Sequence, residues 1–206
     1  MHPNPIFHDA DAARNLAFAR DRGFGVLAIN APDGPLISHV PFLLSEDGGS
    51  VALHLVRSNP IARLLSEPRA VRLAVSGGDS YVSPDWYEVP DQVPTWNYVA
   101  VHLTGTLEQR PQDEMRALLD AQSAHFEEQL QPKTPWTAAK MSADVLDRMM
   151  RQIVPCRMTV TGVDGTWKLS QNKSDDVRER AADGVEAYGL GSDLAVLAAL
   201  MRGAGA

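Results

Sequence analysis

The chain has 206 residues, 44% hydrophobic and 22% charged, with 14 prolines and a single cysteine, Cys156. A composition this near the globular mean excludes a disordered chain, a collagen-like chain and a simple coiled coil, and the length implies one domain with a full core. The formal charge is −7, so a nucleic-acid partner would need a locally basic face, and one cysteine excludes an intrachain disulfide.

The first residues, Met1-His2-Pro3-Asn4-Pro5, have no basic start and no apolar run behind them, and nowhere do about 18 apolar residues run together. The expectation is therefore a cytoplasmic protein without a membrane span. Residues 9–22 read as a helix capped by Asp9 or Asp11 and ended by Gly23. Three strands follow, 24–30, 36–44 and 51–56, joined by turns at Asp33-Gly34 and at residues 46–49, which makes an antiparallel meander. Asn59 and Pro60 suit the cap and first residue of a short helix over 61–66. A strand over 70–75 is expected to turn at Gly77-Gly78 into 80–83, and a Pro-broken loop spans 84–94.

Residues 95–108 alternate with period two: Val99, Val101, Leu103 and Leu107 on one face, Trp96, Tyr98, Ala100, His102 and Thr104 on the other. A helix over 111–130 starts at Pro111 and carries the stripe Met115, Leu118, Leu119, Gln122 and Phe126. Ser142 caps another over 142–152. Residues 153–170 read as a hairpin or bent strand turning at Asp164-Gly165, and Ser174 and Ser192 cap two closing helices. The fold class is mainly β with helices (α+β), a small antiparallel barrel decorated at its margins.

No nucleophile-elbow, P-loop, zincin or dinucleotide-binding fingerprint occurs. The chemistry-bearing junction is Arg57-Ser58-Asn59-Pro60. A helix start presents unpaired N–H groups, and Arg57, Ser58 and Arg63 add charge and a hydroxyl suited to a phosphate. Residues 57–72 carry a net charge of +3, an island in an acidic chain. An ordinary capped helix with surface arginines has the same sequence signature. His39, His54 and His102 lie in strands, but no carboxylate or cysteine stands at ligand spacing beside them, so no metal site is expected. Trp86, Tyr87, Trp96 and Tyr98 cluster where they could wall a flat ligand, and residues 168–173 are dense in hydrogen-bond donors. Cys156 reads as a small packing residue.

Three blocks then become recognisable: Tyr81-Val82-Ser83-Pro84-Asp85-Trp86-Tyr87; Val93-Pro94-Thr95-Trp96-Asn97-Tyr98 with His102 to Gly105; and Lys168-Leu169-Ser170-Gln171-Asn172-Lys173. In that order they resemble the PaiB family, bacterial FMN-binding proteins described as negative transcriptional regulators. Val154-Pro155-Cys156-Arg157 departs from the family's pattern. The resemblance implies an antiparallel FMN-binding split barrel with peripheral helices: a single domain over 1–206, with a helical insertion at 111–152 and a helical extension at 174–206. It implies FMN at a homodimer interface. Arg57, Ser58, Asn59 and Arg63 would take the phosphate, and the strand at His39 and Val40 would offer backbone groups to the ring edge. Thr95, Trp96 and Asn97 would contact the ring, and Lys168, Ser170 and Gln171 would reach it from the partner chain.

Two functions follow from the resemblance. One is a negative transcriptional regulator, although residues 173–180 carry no net charge and direct DNA binding is not expected. The other is an FMN-dependent oxidoreductase using NAD(P)H with a small-molecule redox partner. Haem handling through His39, His54 or His102 is a third.

Overall fold

The structure is a computed structural model and describes residues 2–205. The chain forms two compact units, each built from separate stretches of sequence. Unit 1 comprises residues 1–18, 75–102 and 163–206; unit 2 comprises 19–74 and 103–162. Helix α1 (Ala12–Arg22) and strands β4 (Arg69–Val82), β5 (Thr95–Gln109) and β6 (Ile153–Lys168) have residues in both.

Unit 2 is the barrel. Strands β1 (Phe24–Ala31), β2 (Gly34–Leu44) and β3 (Ser50–Val56) are the expected meander. The sheet order is β1-β2-β3-β6-β5-β4, and β4 pairs back onto β1 from Val26↔Ala74 to Ile29↔Val71, which closes the ring. The first turn is Pro32-Asp33 rather than Asp33-Gly34. Ala31 pairs with Gly34, whose φ of +117° a side chain rarely adopts. Leu27, Phe42, Val51, Leu53, Leu73, Leu103, Leu107 and Met158 are fully buried, each worth about 1.5–3 kcal/mol in area removed from water. The expected faces of β5 are observed, with Val99, Val101, Leu103 and Leu107 inward.

The decorating helices of unit 2 are α2 (Pro60–Leu64), α3 (Met115–Glu128) and α4 (Ala143–Met150). Asn59 caps α2, its Oδ1 accepting the Ile61 N–H at 2.9 Å. Pro111 stands before a 3-10 turn, Gln112–Glu114, and α3 begins only at Met115. Gln122, the polar member of the α3 stripe, is buried because His54 Nδ1–H donates to its Oε1 at 3.0 Å, and its own amide reaches the Pro41 carbonyl at 3.4 Å.

Unit 1 packs helices α5 (Asp175–Tyr188) and α6 (Leu194–Arg202) with Val82, Tyr87, Val99, Trp167 and Leu169 in one apolar cluster. Small residues on α5, Ala181, Ala182 and Gly184, set the approach. A Cβ on Gly184 would lie 2.4 Å from the Trp86 ring.

Three sequence expectations are corrected here. Gly77-Gly78 is not a turn: β4 runs unbroken from Arg69 to Val82. Both glycines admit close neighbours instead, Phe18 and Val99 against Gly77, and Leu197 and the Asp193 carbonyl against Gly78. Residues 153–168 are one strand, the second of the two expected alternatives, but with no turn at Asp164-Gly165: Gly165 sits where a Cβ would fall 2.0 Å from Asn15 Oδ1. Ser192 does not cap the last helix. It belongs to β7 (Gly191–Ser192), which pairs with Asp79 and Ser80 of β4, and left-handed Asp193 occupies the cap position.

Candidate functional site

In unit 2 the expected phosphate niche forms at the junction of β3 and α2. Ser58 and Arg63 are exposed, and among the described residues Arg63 has no carboxylate within 4.0 Å. Arg57 is exposed but partly committed: its Nε donates to the Arg151 carbonyl at 3.0 Å and its Nη2 to Gln112 Oε1 at 2.8 Å. It thus ties the end of α4 to the niche while leaving its charge there. Asn59 uses both ends of its amide, Oδ1 on the α2 cap and Nδ2 donating to Ser38 Oγ at 3.0 Å. That bond brings the niche beside β2.

Strand β2 has two different halves. Phe42–Leu44 pair with β3, whereas Pro35–Pro41 pair with β1 only, among the described residues. The first half therefore keeps one edge of backbone N–H and C=O groups without a strand partner, at Leu36 to Val40. Pro41, which lacks an N–H, stands where pairing on that edge begins. His39 is exposed and stacks on Phe24 across the β1–β2 pair, with ring centroids 6.4 Å apart, and Val40 is buried.

Unit 1 holds a separate cleft of about 390 Å³. Tyr87, Thr95, Asn97, Lys168, Ser170 and Lys173 line it. Its floor is polar and buried. Asn97 Nδ2 donates to Ser170 Oγ at 2.8 Å, and the Tyr87 hydroxyl lies 3.3 Å from the same oxygen. Burial pushes the Tyr87 hydroxyl up from its ordinary pKa, partly offset by Ser170. Ser170 holds a φ of +62°, uncommon for a side-chain-bearing residue, and aims its hydroxyl at Asn97. Among the described residues Asn97 Oδ1 has no hydrogen-bond partner, although Asn97 is fully buried. Lys168 donates to Thr95 Oγ1, and burial lowers its pKa.

The sequence-predicted residues thus fall into two sets. His39, Val40, Arg57, Ser58, Asn59 and Arg63 belong to unit 2; Thr95, Trp96, Asn97, Lys168, Ser170 and Gln171 belong to unit 1. Trp96 is 47% exposed. Gln171 is committed to backbone: it accepts from the Leu169 N–H at 2.8 Å and donates to the Ile6 and Trp167 carbonyls. The sequence marks Tyr87 only as one of four aromatics that could wall a ligand and Lys173 only as part of a donor-dense run, and nothing in their spacing distinguishes lining from packing.

A family model described as "Putative FMN-binding domain" matches residues 1–162. The chain belongs to that family. It is 28% identical over 177 residues to the "Protease synthase and sporulation protein PAI 2" of Bacillus subtilis (strain 168), which covers 85% of this chain and 84% of the relative. The PaiB-type resemblance seen in the motif blocks is thereby confirmed. Two solved structures share the fold: the FAD and heme binding protein from Mycobacterium smegmatis, with a TM-score of 0.56, 15% identity and coverage of 79% of this chain and 73% of that one; and the flavocytochrome Anf3 from Azotobacter vinelandii, with a TM-score of 0.54, 14% identity and coverage of 81% and 72%. The antiparallel split barrel with peripheral helices is the fold of this chain, and a flavin is the cofactor its family carries.

The residues of unit 2 fit FMN at both ends. A strand edge with free N–H and C=O groups matches the alternating carbonyl and N–H pattern of the flavin's pyrimidine ring. Ser58, Arg63 and the charge of Arg57 match the phosphate. Among the described residues no helix is long and apolar enough to cross a membrane, and no group of three or more His, Cys, Asp or Glu could hold a metal ion.

Proposed function

We propose that the protein is a homodimeric flavoprotein that binds FMN along the free edge of β2, with the phosphate at Arg57, Ser58 and Arg63, and uses the flavin in redox exchange with a small molecule. The observation that carries this reading is the unpaired backbone of Leu36 to Val40 tied by the Ser38–Asn59 bond to the cationic start of α2. Bound FMN supplies a centre that accepts or donates a pair of electrons. The chain's part is to bind and orient it: backbone groups at His39 and Val40 fix the ring edge, and Arg63 and Arg57 neutralise the phosphate. A second copy presents Trp96, whose half-exposed ring suits stacking on a flat ligand. Exposed apolar Phe24 and Ile37 on the β1–β2 pair support self-association.

Freshly purified protein is expected to show bands near ~370 and ~450 nm, and Arg63→Glu to weaken FMN binding at least about tenfold. Full FMN affinity in that variant would overturn the phosphate assignment. NAD(P)H added to FMN-loaded protein under nitrogen is expected to bleach the ~450 nm band. Persistence of the band with either nucleotide would remove the redox reading. A monomer in sedimentation at micromolar concentration would remove the dimer.

A regulatory role is the second reading, favoured by the words of the Bacillus relative's name, which speak of protease synthesis and sporulation. Direct DNA reading is not part of it. Helix α5 exposes Asp175, Asp176, Glu179, Asp183 and Glu186, while its Arg178 is buried, so its outer face repels a polyanion. A salt-sensitive, sequence-specific complex in a gel-shift assay would overturn that statement.

A further inference from the structure

The cleft of unit 1 holds two ammonium groups with only neutral partners. Lys168 donates to Thr95 Oγ1 and Lys173 to Gln92 Oε1. Lys173 also lies 5.2 Å from the centre of the Tyr87 ring, and Lys168 5.8 Å from that of Phe7. Among the described residues neither lysine has a carboxylate within 4.0 Å, in a chain with 26 acidic residues. Asp91 lines the same cleft without pairing either ammonium, so the two lysines leave the site net positive and attract an anion, and partial burial of Lys168 reduces screening.

The floor adds a second demand. Asn97 is fully buried, its Nδ2 is satisfied by Ser170, and its Oδ1 accepts nothing. A buried carbonyl oxygen left bare carries an unrecovered desolvation cost, and a ligand that donates to it recovers that cost. The donor must be neutral, as an amide N–H is, because an ammonium would be repelled by the two lysines. The volume of about 390 Å³ is in the range of small-molecule sites.

We infer that this cleft binds a small organic anion carrying an amide-type N–H: Lys168 and Lys173 hold its carboxylate or phosphate, and Asn97 Oδ1 accepts its N–H. The inference goes beyond the flavin reading and does not rest on it, since every group it uses belongs to one unit of one chain. The ligand is a substrate or effector of the flavoprotein, not the flavin.

The test uses the full chain, with and without FMN, and follows the Asn97 side-chain amide and the Ser170 backbone amide by NMR. N-acetylglycine carries both features, acetate only the carboxylate, and N-methylacetamide only the N–H. N-acetylglycine is expected to shift both signals saturably in both forms of the protein, with acetate and N-methylacetamide each at least about tenfold weaker. Lys168→Gln and Lys173→Gln are expected to weaken N-acetylglycine about tenfold each, and Lys173→Gln to leave FMN affinity unchanged. Inorganic phosphate competing with N-acetylglycine assigns the oxyanion position to phosphates as well as carboxylates and supports the site. Absence of saturable shifts, equal binding of acetate, or indifference to both lysine variants overturns the proposal. Displacement of N-acetylglycine by FMN also overturns it, because the cleft would then belong to the flavin. Saturable N-acetylglycine binding in a protein that takes up no FMN leaves the cleft proposal standing and removes the flavin reading.

Discussion

The two units treat polar groups in opposite ways. In unit 2 nearly every buried or half-buried polar side chain is placed: Asn59 serves the α2 cap and Ser38, Gln122 serves His54 and Pro41, and Arg57 ties down α4. What unit 2 leaves unpaired is backbone, along one edge of β2. Unit 1 has its backbone in long strands and two helices and leaves side chains unpaired: among the described residues, the Asn97 carbonyl accepts no hydrogen bond, and the Lys168 and Lys173 ammoniums have no carboxylate within 4.0 Å. A free strand edge suits a rigid, planar, multiply hydrogen-bonding partner. A cleft of adjustable cations suits a smaller ligand that is exchanged.

The largest expected difference between the units lies in how they tolerate a methyl group. A Cβ on Gly105, in unit 2, would fall 2.0 Å from the Thr159 backbone carbonyl, which cannot move alone. Gly105→Ala is expected to cost about 3 kcal/mol in urea unfolding. In unit 1 a Cβ on Gly165 meets the Asn15 side chain at the same distance, and that side chain can turn away. Turning releases the Trp167 indole N–H, which donates to Asn15 Oδ1 at 2.7 Å. Gly165→Ala is therefore expected to cost about 1.5 kcal/mol. Equal costs would show that the contrast between backbone and side-chain contacts does not govern stability here.

A smaller effect is expected at the niche. Asn59→Ala removes the α2 cap and the link to Ser38, for about 1 kcal/mol of stability. Smaller still is the pH response of unit 2. Burial holds His54 below its ordinary value of 6.5, with Gln122 opposing. Between the folded value and 6.5 the unfolded chain binds more protons, so the stabilisation is complete above pH 6.5 and is lost as pH falls. The denaturation midpoint is expected to drop below pH 6.5, and less steeply in His54→Asn. The least expected effect is on Cys156, whose thiol is pushed up to about 12 by burial. Native protein at pH 8 is expected to resist thiol reagents until it unfolds.

How much of this was readable beforehand depended on whether the signal was local. The meander, the Asn59 cap and the inward face of β5 follow from turn chemistry, capping and period two, and all are found. Gly77-Gly78 and Asp164-Gly165 read as turns because glycine usually marks one. In the structure Gly77, Gly78 and Gly165 make room for Phe18, Leu197 and Asn15, partners far away in sequence. The same limit applied at the sites. Arg63 and Asn59 were visible as part of a helix start, whereas the unpaired state of Asn97 Oδ1 depends on residues 73 positions apart and on nothing in its own neighbourhood.

The half-paired edge of β2 also bears on how the protein behaves when empty. An exposed row of peptide groups is an invitation to strands from other molecules, and such additions seed aggregation. Pro35 and Pro41 bracket the exposed stretch and shorten what an intruder can zip onto. Material stripped of its ligand should therefore clump sooner on storage than loaded material, with β2 as the sticky seam.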